Sequence, residues 1–205
     1  MILDQWQSKF PSQNILVNSK AEAIKTICEV LIGRGVSEAA EIARQVYPFT
    51  PARPAITRRH TEEQALRIFL RDGFVDRYSG GFLLFPPVLR ILTTLLPNDF
   101  PFHRNWKMGE IHQAYWELFP TLDHVLPIVR GGQNDEHNLV STSMYWNSAK
   151  ANATLEEIGW TLHPPGDMKR WDGMLAWCAD FLSQNATLLN DKYIGRWYRA
   201  SLPFR

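Results

Sequence analysis

The sequence predicts an α+β fold in which helical regions flank a small unit of short strands. Apolar residues recur at helical spacing in residues 19–72 and again from residue 171 onward. Between these regions, residues 74–85 and 122–142 contain β-prone runs interrupted by Gly-Gly turns. The chain has 205 residues, 45% of them hydrophobic and 21% charged, which is typical of a globular protein with a buried core. This length suits one large domain or two small ones.

The first two predicted helices lie near the N-terminus. Ser19 and Glu22 have the spacing of a capping box, so the first helix is expected to begin at Ser19. It is expected to end at residues 33–35, which include two glycines. A second helix is predicted from Ser37 until Pro48 stops it.

A third helix and a hairpin complete the predicted N-terminal region, residues 1–98. Thr61 is the expected N-cap of the third helix, which ends near residues 72–73. Residues 74–85 form two β-prone runs around Ser-Gly-Gly and predict a hairpin. Three helices followed by a hairpin is the order of a winged helix-turn-helix, whose third helix enters the major groove of DNA. We therefore expect a winged-helix-like DNA-binding region, with a helical packing domain as the alternative.

Arginine is concentrated around the third helix. Residues 53–90 contain seven arginines, no lysine and four acidic residues, whereas residues 91–160 contain four basic and eight acidic residues. The guanidinium fork suits phosphates and base edges, although arginines on a solvated helix face would give the same pattern. The predicted DNA contacts are Arg58, Arg59, Arg67, Arg71, Arg77 and Arg130.

Composition excludes several classes of protein. The longest apolar run, residues 81–89, contains two prolines and is far shorter than the ~20 residues of a membrane-spanning helix. Asp4 and Gln5 occupy positions where a signal peptide would be apolar. With only Cys28 and Cys178, the chain has neither a disulfide framework nor a cysteine zinc site. We therefore expect a cytoplasmic protein with no membrane partner.

The middle region, residues 99–166, is predicted to contain a strand–loop–strand–helix unit. A β-prone stretch at 122–129 is closed by Arg-Gly-Gly, and a second short strand follows a polar loop at 138–142. Residues 143–150 then have the pattern of a helix. The last region, 167–205, is helical and rich in aromatic residues, and we expect it to pack against the rest of the chain.

Five spaced elements within this ββα unit occur in a distinctive order. They are Asp123-His124-Val125 with Pro127, Gly131-Gly132, Asn138-Leu139-Val140, Asn147 and Lys150. The spacing is 14 residues from His124 to Asn138 and 9 from Asn138 to Asn147. Over residues 115–155 this pattern resembles the motif of the HNH endonucleases, in particular bacterial and phage restriction-like proteins. The letters HNH name three motif residues, and Asn147 occupies the position of the last histidine. This replacement is a common variant in that family.

The resemblance implies a role for each motif residue. His124 would be the general base, since a neutral imidazole accepts a proton at physiological pH. Asp123 and Asn147 would be metal ligands, and two oxygen ligands favour Mg²⁺, with Mn²⁺ expected to substitute. Asn138 would bond backbone groups across the loop and so hold His124 in place. Lys150, on the same helix face as Asn147, would contact the scissile or a neighbouring phosphate.

The expected function is therefore metal-dependent hydrolysis of phosphodiester bonds in double-stranded DNA, by a restriction-type endonuclease. One such site cuts one strand, so a double-strand break requires a homodimer or two successive nicks. A repair or recombination nuclease and a nonspecific nuclease are alternatives within the same chemistry. A DNA-binding regulator that does not cleave is a further alternative, which the intact Asp123, His124 and Asn147 argue against.

Overall fold

The structure, a computed structural model, describes residues 11–48 and 60–204, with side chains from residue 21 onward. The helices are α1 (Pro11–Arg34), α2 (Val36–Val46), α3 (Glu62–Arg71), α4 (Pro87–Leu95), α5 (Ala114–Glu117), α6 (Met144–Lys150), α7 (Leu155–Ile158), α8 (Leu175–Gln184) and α9 (Lys192–Ser201). The strands are β1 (Pro120–His124) and β2 (Leu139–Ser143). Helices with one small antiparallel sheet confirm the predicted α+β class. No helix within the described ranges is long and apolar enough to cross a membrane.

The chain divides into two compact units. The first contains α1, α2 and α7, and the second contains the other described elements, from residues 60–152 and 161–204. This division differs from the three regions predicted from the sequence, because it assigns α3 to a different unit from α1 and α2.

In the first unit, helix α1 packs against α2 and α7. The predicted start at Ser19 is wrong, since α1 begins at Pro11 and Ser19 lies inside it. Proline is well suited to the first helical position, where the backbone N–H has no helical partner. Gly35, with a φ of 86°, separates α1 from α2, and Ala39 is the buried residue of α2.

The main core of the second unit joins α3 to the C-terminal helices. As predicted, Thr61 caps α3, and it forms a capping box with Gln64. The apolar face of α3 is buried, and Phe69 stacks on Trp197 of α9 with ring centroids 6.0 Å apart. Leu182 of α8 belongs to the same core. The C-terminal region therefore packs against α3 as part of one core.

The hairpin predicted at residues 74–85 is present only in a minimal form. The segment forms one isolated antiparallel bridge, between Val75 and Phe82, and Phe74 has a left-handed φ of 48°. Two bonds of the bridge lie within the segment, from Asp76 N to Gly81 O (2.8 Å) and from Leu83 N to Phe74 O (2.7 Å). Three other N–H groups donate to distant segments: Arg77 N to Ser141 O (2.9 Å), Leu84 N to Leu118 O (2.9 Å) and Phe85 N to Gly173 O (2.7 Å). The segment is therefore bonded to distant segments as well as to itself, and the winged-helix arrangement expected for residues 1–98 stays a prediction.

Two buried carboxylates hold the outer edge of β2. Asp72 Oδ2 accepts from Ser141 N, and Asp76 Oδ2 accepts from Ser143 N, each at 2.8 Å. Both aspartates are almost completely inaccessible to solvent. Unpaired N–H groups at a buried sheet edge need partners, and these side chains supply them where a third strand would otherwise lie. This anchorage determines where β2, and the helix that follows it, are placed.

Candidate active site

The site is built on the two strands and the helix that directly follows them. β1 and β2 pair antiparallel, with Asp123 opposite Val140 and His124 opposite Leu139. Helix α6 begins at the next residue after β2, and the Ser143 side chain caps it by accepting from Trp146 N at 3.2 Å. The predicted strand–loop–strand–helix order is therefore present, and it brings the end of β1 next to α6.

Three of the predicted site residues line one cavity of about 290 Å³: Asp123, His124 and Asn147. Adjacent residues of a regular strand point to opposite faces. Asp123 and His124 nevertheless share this cavity because β1 ends at His124. The cavity is also lined by Pro127 and Ile128, which lie in the loop between the strands.

The carboxylate of Asp123 is held by two donors. Its Oδ2 accepts from the Tyr78 hydroxyl at 2.7 Å and from Lys150 Nζ at 2.8 Å. Burial, and then the negative charge of Asp123, raise the pKa of Tyr78 well above its ordinary value. Tyr78 therefore remains protonated and keeps donating to Asp123 throughout the physiological pH range.

Lys150 has a different role from the one predicted. Its side chain is completely buried, and Nζ donates to the His124 carbonyl oxygen at 2.8 Å as well as to Asp123. An ammonium group enclosed in this way cannot also reach a DNA phosphate. The prediction of a phosphate contact is therefore wrong for this geometry, and Lys150 instead fixes the backbone and the carboxylate at the end of β1.

The imidazole of His124 is oriented by Asn134 in the loop between the strands. His124 Nε2 lies 2.8 Å from Asn134 Oδ1, and the His124 residue is 8% exposed. With the amide oriented in this way, its oxygen can only accept, so Nε2 carries the hydrogen. In the neutral ring the lone pair is then on Nδ1, so Nδ1 is the ring atom that can accept a proton.

Asn138 holds the loop together, as the resemblance to the HNH motif implies. Its Oδ1 accepts from Leu126 N at 2.9 Å, and its Nδ2 donates to the carbonyl oxygens of Leu126 (2.9 Å) and Gln133 (2.8 Å). Gly132 is enclosed by the same groups, since a Cβ there would collide with the Leu126 carbonyl oxygen. Gly131 adopts a left-handed φ of 98°. These contacts explain why the motif has two glycines and an asparagine at these positions.

The donor chemistry of the cavity fits a hard divalent cation. Asp123 offers a carboxylate whose second oxygen is not used by Tyr78 or Lys150, and Asn147 offers an amide oxygen. No cluster of three or more His, Cys, Asp or Glu side chains occurs among the described residues. An ion bound here would take most of its ligands from water and phosphate, which is typical of Mg²⁺.

Sequence reasoning missed three residues that surround His124 and Asp123. Tyr78 and Asn134 make the hydrogen bonds described above, and the His60 ring lies 6.5 Å from that of His124, centroid to centroid. Burial, and then the proximity of His124, lower the pKa of His60. The sequence placed His60 at a helix start, which is where it lies, but its spatial neighbour depends on tertiary packing.

The predicted DNA-binding arginines have different environments. Arg71 and Arg77 both form ion pairs of 2.9 Å with the buried Asp72, and only 14% of the Arg77 side chain is exposed. The DNA-contact prediction is therefore wrong for Arg77, and Arg71 is also engaged internally because it donates to two backbone carbonyls.

The remaining arginines of that set stay as predictions. Arg67 is paired with Glu63 (3.0 Å) and Glu136 (3.4 Å) while 41% of its side chain is exposed. Arg130 is exposed in the short 3₁₀ turn next to the cavity. Arg58 and Arg59 lie outside the described residues.

Comparisons with known proteins give no match to this chain. No protein-family model, no curated protein and no solved structure matches the chain. The functional argument therefore depends on the site itself.

Proposed function

We propose that this protein is a divalent-metal-dependent endonuclease that hydrolyses phosphodiester bonds in DNA. The observation that carries the proposal is one cavity in which an oriented histidine, a carboxylate and an amide oxygen converge on a ββα unit. A base and two hard oxygen ligands are what in-line attack of water on a phosphodiester requires.

His124 acts as the general base in this proposal. Asn134 keeps the hydrogen on Nε2, so that Nδ1 accepts a proton from the attacking water. Lys150 and Asn138 hold the backbone that directly follows His124, at its own carbonyl oxygen and at Leu126. A base placed by such contacts loses little conformational freedom when the substrate arrives.

Asp123 and Asn147 would hold the cation. When bound, a divalent ion stabilises the charge that develops on the phosphate and on the leaving oxygen. Tyr78 and Lys150 both donate to Asp123 Oδ2, and they thereby orient the other carboxylate oxygen for this role.

The decisive experiment is incubation of the purified protein with supercoiled plasmid and with long linear DNA, in Mg²⁺, in Mn²⁺ and in EDTA. Relaxed or linear plasmid is expected with either metal and not in EDTA. Discrete fragments of the linear DNA would indicate a restriction-type enzyme, and a smear would indicate nonspecific cutting. His137→Ala is a matched control, because it removes an exposed histidine from the same loop and should leave cleavage unchanged. DNA binding without cleavage under every condition would refute the proposal and favour a regulator.

A further inference from the structure

Helix α9 presents a face of exposed basic side chains. Lys192, Arg196 and Arg199 are all exposed, and their spacing of four and three residues places them on one side of the helix. We call these three side chains the α9 basic face. Residues 192–205 contain four basic and no acidic residues, although the whole chain carries a net charge of only +1. The positive charge of this face is therefore not balanced within the helix that carries it.

The neighbouring helix α3 neutralises only part of this charge. α9 packs against α3, and the two glutamates that begin α3 line a cavity of about 350 Å³ together with two arginines of the α9 basic face. Glu62 pairs with Arg196 at 2.9 Å, and Glu63 pairs with Arg67 of its own helix at 3.0 Å. Both glutamates are therefore already engaged, and 56% of the Arg196 side chain is still exposed.

The other two cations of the face have no counter-ion. Neither Lys192 nor Arg199 forms an ion pair with any of the residues that the structure describes. Asp191, the residue before Lys192, directs its carboxylate elsewhere: it accepts from Tyr193 N at 2.8 Å and lies 3.8 Å from Arg90. The α9 basic face consequently has an excess of positive charge that an anionic partner can use.

The α9 basic face adjoins the candidate active site within one compact unit. Thr61 lines the same cavity as Arg196 and Arg199, and His60 directly precedes Thr61. The His60 ring lies 6.5 Å from the His124 ring, centroid to centroid. The start of α3 therefore connects the exposed cations with the general base of the proposed function.

The spacing of the cations and the surroundings of the helix indicate a hydrophilic polyanion. Lys192 and Arg199 are seven residues apart, which is about 10 Å along a helix axis. A strand of duplex DNA carries one phosphate for every ~3.4 Å of its axis, so three cations over this length match a short run of phosphates. Ile194 and Trp197 of α9 are buried in the core, so the helix lacks the exposed apolar face of a membrane-surface helix.

We infer that the α9 basic face binds the sugar–phosphate backbone of the DNA substrate, beside the cleavage site. The identity of this polyanion rests on the proposed function. Arg71 and Arg77 are committed to Asp72, so this face supplies positive charge that those two arginines cannot. Contacts with phosphates position a duplex and carry no sequence information, so the face holds DNA of any sequence against the active site.

The test measures the affinity of the full chain for a short fluorescent DNA duplex in EDTA, by anisotropy at several salt concentrations. Lys192→Gln and Arg199→Gln should each weaken binding about three- to tenfold at ~0.1 M salt and reduce the salt slope by about one. The double variant should reduce the slope by about two, whereas Arg199→Lys keeps the charge and should keep the parent slope. Lys169→Gln removes an exposed cation elsewhere in the same unit, and this matched control should bind as the parent does. The substituted side chains are exposed, so circular dichroism and Tm should match those of the parent protein.

Cleavage in Mg²⁺ separates this inference from the proposed function. The double variant should raise KM for DNA about tenfold or more and change kcat less than about twofold, because phosphate contacts remote from the scissile bond bind substrate and transition state alike. Weaker binding by the variants without any cleavage by the parent would support the binding surface and refute the nuclease proposal. Equal affinity and salt slope in the double variant and the parent would overturn the inference even if the parent cleaves DNA. Tighter binding of the parent to phosphatidylserine vesicles than to DNA, lost in the double variant, would also overturn it in favour of a membrane surface.

Discussion

Replacement of Lys150 by methionine is expected to destabilise the protein strongly when no metal is present. Lys150 is completely buried and donates to Asp123 Oδ2 and to the His124 carbonyl oxygen, both at 2.8 Å. Two hydrogen bonds from a charged group contribute about 1.5–3 kcal/mol each, and removing one partner of a buried pair costs about 3–5 kcal/mol in total. Tyr78 still donates to Asp123 in the variant, so we expect about 3 kcal/mol, the lower end of that range.

Urea unfolding at neutral pH in EDTA, followed by tryptophan fluorescence, measures this loss. Lys107→Met is the matched control, because that ammonium is 63% exposed and pairs with Glu110 at the surface. The control should lose less than about 1 kcal/mol. Mg²⁺ should recover part of the Lys150→Met loss, since a cation at Asp123 replaces the missing positive charge. If the free energy of unfolding of Lys150→Met is within about 0.5 kcal/mol of that of the parent protein, the assigned contacts do not hold the site together.

Four further predictions concern single substitutions. His124→Ala should lower the rate of DNA cleavage at least ~100-fold while DNA binding persists. Cleavage at a rate close to that of the parent protein would contradict the assignment of His124 as the general base. Arg77→Gln leaves the buried Asp72 with one arginine fewer and should cost about 3 kcal/mol in urea unfolding; no loss would contradict the buried pair. Gly132→Ala forces a Cβ against the Leu126 carbonyl oxygen and should cost about 1–3 kcal/mol and reduce cleavage; a fully active, stable variant would contradict this loop geometry. Because the pKa of His60 is lowered from 6.5 in the folded protein, stability should fall as the pH drops below that value, and less so in His60→Gln; equal pH dependence of Tm in both would refute this.

The sequence by itself determined those features that depend on residues close together in the chain. The Thr61 cap of α3 is a bond between residues three positions apart. The ββα order follows from β-prone runs, a glycine turn and a helical pattern that are each local. These interactions form between neighbours in sequence, so residue type and spacing predict them.

The tertiary structure alone decided which side chains surround the site. The Tyr78–Asp123 bond joins residues 45 positions apart, and the Asp72–Ser141 bond joins residues 69 positions apart. The arginine cluster looked like a nucleic-acid surface, yet Arg77 is committed to Asp72 in the folded chain. The predicted hairpin is limited to one bridge, and three of its N–H groups donate to distant carbonyl groups instead. Buried polar groups must find partners wherever the fold brings them, and which distant groups meet is a property of the packed chain, which the pattern of any one segment does not contain.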